Sequence, residues 1–238
     1  MVNSVAGGGT LISFPALIWI GRDPIVANVT STIALWPASL GAMVGFRREL
    51  AEGGAWVRRL LGPSFAGGIV GAVLLLRTPS RTFAAIVPWL VLFATVLFAA
   101  SDRIRSRSAR PHDAASTTGA GTTTTVIAFQ FLVAVYGGYF GAGIGILMLA
   151  ALAYFGVGDV HRMNAIKNTL AVFINGIAAA YFALFSGRVA WADAAVMALG
   201  ASVGGYGGAG LARALGPTFV RRAVIVIGFA MAASLFWR

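Results

Sequence analysis

Apolar runs dominate the chain, and short polar interruptions divide them. Met1 to Ile20, Ile25 to Phe46, Pro63 to Leu76, Thr82 to Ala100, Val126 to Gly158, Asn164 to Phe185, Trp191 to Leu211 and Pro217 to Trp237 read as helical membrane segments. A run of about 18 or more apolar residues is long enough to cross a bilayer. Between the runs lie tight turns such as Arg22-Asp23-Pro24, where Pro24 suits the first turn of the next helix. Pro88 falls inside the run from Thr82 and predicts a kink there. One run does not fit a single helix. Thr122 to Gly158 carries no charge and is too long for one pass. Its centre, Gly137-Gly138-Tyr139-Phe140-Gly141-Ala142-Gly143-Ile144-Gly145, is too rich in glycine to stay helical. The pattern predicts two short helices meeting at a break.

A second glycine cluster, Gly7-Gly8-Gly9, interrupts the first run. Shifting the chain by 136 residues places Gly7 on Gly143, Gly9 on Gly145, Leu11 on Leu147, Asp23 on Asp159, Asn28 on Asn164 and Ala42 on Ala178. The order of features also repeats: glycine break, short apolar segment, Asp-containing turn, helix opening near Asn, glycine-rich helix, final helix. We therefore expect two transmembrane repeats, residues 1–101 and 126–238, joined by a polar linker over 102–125. The linker holds four arginines and a Ser/Thr/Gly run and reads as flexible.

Charge sets the expected orientation. If Val126 to Gly158 passes down and back, the segments 47–59, 103–110, 162–167 and 213–222 share one side and hold 13 of the 18 Lys and Arg residues. A single crossing would split them 10 to 8. The positive-inside rule favours the first arrangement, which makes the 47–59 and 102–122 loops cytoplasmic. Each repeat then has an odd number of passes, so the two are inverted. The expected fold class is an all-α polytopic membrane protein of two inverted repeats, with glycine-broken short helices at the repeat starts.

Composition agrees and narrows the function. Hydrophobic residues make up 58% and charged residues 11% of the 238, and mean hydropathy is +0.85. A soluble domain would be about 25% charged. The net charge of +11 lies in short loops between apolar runs, so it reports topology; no basic face is interleaved with exposed aromatics for nucleic acid. The absence of cysteine excludes disulfides and thiolate metal sites. Neither the two histidines, His112 and His161, nor the seven acids form a catalytic constellation, and no carboxylate pair stands in mid-span. We expect no enzyme activity, no catalytic residue, no metal and no cofactor.

The polar residues inside the apolar runs carry the candidate chemistry. Asn164, Lys167, Asn168 and Asn175 fall on one helical face after the second break; Asn28, Ser31, Thr32 and Ser39 occupy matching positions after the first, and Thr30 lies close by. A polar group facing lipid without a partner is costly, so these stripes should face the protein interior. Lys167, the single lysine, would supply a fixed positive charge for an anion; the alternative is a helix-end lysine reaching the interface. The asparagines could instead hold helices together. At Gly7, Gly8 and Gly9, and at Gly141, Gly143 and Gly145, free backbone N–H groups and a helix N-terminus would favour carboxylate, sulfonate or sulfite oxygens; close packing alone is the alternative. Gly67 to Gly71 and Gly200 to Gly210 read as packing surfaces.

The run Val2-Asn3-Ser4-Val5-Ala6-Gly7-Gly8-Gly9-Thr10-Leu11-Ile12-Ser13-Phe14-Pro15-Ala16-Leu17 resembles the N-terminal signature of the TauE/SafE sulfite exporter family. The pattern from Gly141-Ala142-Gly143-Ile144-Gly145 to Lys167-Asn168 and Asn175-Gly176 is similar to the family's second half. The resemblance implies an inner-membrane permease for sulfite, sulfonates or other small anions. It differs in two places. Family members typically carry a further apolar half-segment before the first glycine signature; either an upstream start codon supplies it, the reading preferred here, or this protein has one pass fewer. Many members also have Thr-Asn-Lys after the first turn, where this chain has Thr30-Ser31-Thr32, which leaves Lys167 without a counterpart. The expected function is a secondary transporter working by alternating access; the alternatives are a passive anion channel and a non-transporting membrane subunit or assembly factor. Its partners would be a small anionic substrate and the lipid bilayer, with a coupling ion (H+ or Na+) and a homodimer left open.

Overall fold

The break predicted near residue 140 is present. The computed structural model describes residues 9–45, 47–108, 120–155, 157, 160–206 and 217–237. Within them the chain is helical: α1 Thr10–Trp19, α2 Pro24–Gly45, α3 Arg47–Arg77, α4 Ser80–Ser108, α5 Ala120–Tyr139, α6 Ile144–Tyr154, α7 Val160–Phe185, α8 Trp191–Tyr206 and α9 Pro217–Phe236. By length and composition, three stretches among the described residues could cross a membrane: Gly53–Arg77, Ser80–Ser101 and His161–Phe185. Large apolar side chains are exposed on the outside, among them Trp89, Leu132, Leu184, Val196 and Leu199. In water such a surface would be unfavourable; against lipid tails it is not.

Two expectations need correction. The segment 47–59 is not a loop, because α3 runs unbroken from Arg47 to Arg77. Its opening residues, rich in Arg, Glu, Ala and Leu, are good helix formers. At 31 residues the helix is roughly 46 Å long, well beyond the roughly 30 Å of bilayer hydrocarbon, so its charged start can project past the apolar layer. The same reasoning shortens the linker. α4 continues through Asp102 to Ser108, and α5 begins at Ala120, so helix occupies both ends of 102–125. Pro88 lies within α4 without ending it.

The packing has a reciprocal order. Under the 136-residue shift α1 answers α6, α2 answers α7, α3 answers α8 and α4 answers α9. α2 packs on α7 and α4 on α9, so equivalent helices meet. α2 packs on α8, as α7 does on α3; α1 packs on α9, as α6 does on α4; α1 packs on α2, as α6 does on α7. Single contacts keep this register. Trp36 Nε1 donates to the carbonyl of Val172, 136 residues along. The Ala190 N–H donates to Thr30 Oγ1 at 3.1 Å. The shifted pair would be Ile166 with residue 54, and a Cβ on Gly53 would lie 3.0 Å from Ile166 Cγ1.

Glycine sets the closest approach. A Cβ on Gly71 would overlap the Val135 carbonyl, and one on Gly138 the carbonyl of Gly68. The backbones of α3 and α5 therefore touch, which matches the packing role expected of Gly67 to Gly71. Gly200 has open space where its Cβ would be; residues 207–210 of that second glycine stretch lie outside the described residues.

Candidate functional site

The centre of the fold is the gap between α5 and α6. α5 ends at Tyr139 and α6 starts at Ile144. Gly141 and Gly143 adopt φ of 79° and 78°. This left-handed region is strained for residues with a Cβ, which is why glycine stands at both positions. The gap is pinned from several directions. Tyr136 donates its hydroxyl to the Ala142 carbonyl at 2.7 Å. Asn28 of α2 donates Nδ2 to the Tyr139 carbonyl at 2.8 Å. Phe14 of α1 packs edge-on against Phe140, with centroids 5.4 Å apart. Ala94 of α4 lies 3.6 Å from where a Cβ on Gly143 would stand, and Asn175 Oδ1 of α7 lies 3.5 Å from the same point on Gly141. Elements of both halves thus converge on one break.

The break exposes hydrogen-bonding capacity. Gly143 caps α6 with no side-chain cap bond. The first-turn N–H of Ile144 donates to the Gly141 carbonyl, and those of Ile146 and Leu147 to Gly143. The N–H groups of Ala142 and Gly143 donate to no group among the described residues. They lie where the positive end of the α6 dipole falls. Asn28 is 1% exposed, and its Oδ1 has no partner among the described residues.

The predicted residues divide into those at the break and those elsewhere. Gly7 and Gly8 lie outside the described residues. Gly9 caps α1, its carbonyl accepting from the N–H groups of Ile12 and Ser13. Gly141, Gly143, Asn28 and Asn175 are brought together at the break, and Gly145 sits buried in the first turn of α6. Thr30 and Ser31 are spent on packing: Thr30 accepts from Ala190, and Ser31 shares a 2.7 Å hydroxyl–hydroxyl bond with Ser13. Lys167 is 2% exposed and donates to Asn164 Oδ1 at 3.1 Å. It is buried among helices and does not sit at the rim of the protein. Eight residues separate it from Asn175, which is about 12 Å of helix. Asn168 lies between them, 7% exposed, and its Nδ2 has no partner among the described residues. The α7 stripe therefore leads from Asn164 and Lys167 to the break.

Three contributors escaped the sequence reading. Tyr136 clamps the break, Trp36 ties α2 to α7, and Gln130 donates to Ser64 at 2.8 Å between α5 and α3. Gln130 stands as a lone amide in an apolar run, a signal that could have flagged it. Among the described residues no group of His, Asp and Glu could hold a metal ion.

The family described as Sulfite exporter TauE/SafE matches residues 1–235. A probable membrane transporter protein of Haemophilus influenzae is 25% identical over 241 residues, covering 99% of this chain and 89% of the relative. The probable membrane transporter protein YfcA of Escherichia coli K12 is 24% identical over 238 residues, covering 99% and 85%. The probable membrane transporter protein ORF9 of a Sinorhizobium species is 27% identical over 237 residues, covering 98% and 87%. No solved structure matches.

Proposed function

Because the chain belongs to the TauE/SafE sulfite exporter family of multi-pass membrane transporters, we propose that it is a secondary transporter for a small anion, such as sulfite, an organosulfonate or a related organic anion. Transport across the bacterial inner membrane would proceed by alternating access. The observation that carries this reading is the α5–α6 break. There, N–H groups with no partner among the described residues, at the positive end of a helix, meet polar side chains from α2 and α7. Lys167 supplies the fixed positive charge along the same helix face as Asn175. Water-poor surroundings strengthen its attraction for an anion.

The reciprocal packing supports inverted repeats that rock against each other around the break. The contacts such rocking would remake join the halves near the α7–α8 turn. Arg22 pairs with Asp193 through two bonds of 2.7 and 3.2 Å, and Arg188 donates to Ser80. In the proposed orientation these lie on the external side, and the arginine-rich ends of α3 and α4 face the cytoplasm.

Counterflow into liposomes tests the proposal, with sulfite, sulfoacetate, taurine and acetate as candidates. Saturable uptake accelerated by internal substrate is expected for at least one of them. Uptake without saturation or counterflow would make the protein a channel. No uptake of any anion would sink the transport reading.

A further inference from the structure

The break offers donors and an acceptor together, and this bears on the protonation state of what it binds. Asn28 fixes the acceptor. The Tyr139 carbonyl can only accept, so the Asn28 amide must turn its NH2 toward it. Oδ1 is thereby held beside the end of α5 as an acceptor with no partner among the described residues, on a side chain 1% exposed. A few residues along, the N–H groups of Ala142 and Gly143 at the start of α6 have no acceptor among the described residues.

A fully deprotonated oxyanion can satisfy the N–H groups but has nothing to donate to Asn28. Its negative oxygens would face the negative end of the amide dipole, and Oδ1 would stay buried and unbonded, which is costly. A bare cation could use Oδ1, but it would sit against the positive end of α6. An oxyanion that keeps one O–H serves both sides: its hydroxyl donates to Oδ1 and its remaining oxygens accept from the backbone.

Resting on the reading of the break as the anion site, we propose that the site selects singly protonated oxyanions, such as hydrogensulfite, over anions of the same charge that carry no proton. Asn28 is the specificity-determining residue, through Oδ1. A site built to bond a hydroxyl rejects the analogue lacking it, because a buried polar group is then left unpaired.

The test uses two monoanions of similar size that differ by one O–H. Hydrogen methylphosphonate and methanesulfonate are titrated against the purified full chain in detergent at mildly acidic pH, with hydrogensulfite in a third arm. Hydrogen methylphosphonate is expected to bind about tenfold tighter or more than methanesulfonate. Asn28→Leu is expected to bring that ratio close to one; because it also removes the bond to the Tyr139 carbonyl, the ratio and not either affinity is the readout. If the variant does not fold, the wild-type ratio still decides. Equal wild-type affinities overturn the proposal. Equal affinities that both rise with sodium overturn it in favour of a cation at Oδ1. If no oxyanion binds, the anion site itself falls, and this inference with it.

Discussion

The polar stripes on α2 and α7 stand 136 residues apart in the sequence, position for position, yet they are used differently. On α2 the bonds are turned inward on the scaffold. Thr30 takes the Ala190 N–H, Ser31 meets Ser13, Thr32 donates to the Asn28 carbonyl four residues back, and Ser39 to that of Leu35. On α7, Asn168 keeps a buried N–H2 without a described partner, Asn175 stands beside Gly141, and Lys167 brings a buried charge. Equivalent sequence positions therefore need not share a role. Two helices can share a polar face in sequence and still meet different neighbours in the fold. Of the α2 stripe it is Asn28 that bonds to the break, with one amide atom bonded and the other without a partner among the described residues.

This division can be broken by substitution, most sharply at Lys167. Lys167→Ala is expected to weaken anion binding by at least tenfold, since a charge in a low-dielectric site contributes several times what it would in water. Titration of the purified variant checks this; unchanged affinity would return Lys167 to a scaffold role and erase the contrast. Asn175→Ala should lower counterflow by about tenfold with little change in thermal stability, as expected for a group at the substrate path and not in the packing. A large loss of stability with normal affinity would instead make Asn175 a helix tie.

On the α2 side the signature reverses. Thr30→Val leaves the part-buried Ala190 N–H without this bond and should cost about 1 kcal/mol of stability, with substrate affinity unchanged. A selective change in affinity would show that α2 also serves the substrate directly. The smallest effect belongs to Thr32→Val, which removes only a bond to the carbonyl four residues back. Such bonds contribute little to a helix, so a change within about 0.5 kcal/mol is expected. A larger loss in thermal unfolding would mean that Thr32 has a role its visible bond does not explain.

The sequence by itself determined the class, the helices and the place of the break. Long apolar runs need helices because lipid satisfies no backbone group. Gly141 and Gly143 stop α5 from running into α6 because only glycine adopts their conformation cheaply. The stripe at Asn164, Lys167, Asn168 and Asn175 was legible from helical period alone. Helix ends were less so: charged residues at 47–59 read as a loop, because charge signals the end of the apolar layer and not the end of a helix.

Only the tertiary structure decided which polar groups are already used. Period tells which face a side chain shares, not what stands opposite it. That Trp36 meets Val172, that Gln130 meets Ser64 and that Phe14 covers Phe140 depends on helices far apart in sequence coming into contact. The same contacts consume Thr30 and Ser31 and leave Asn28 Oδ1 at the break. A hydrogen bond is directional and short-ranged, so its partner is fixed by packing geometry, which no local pattern contains.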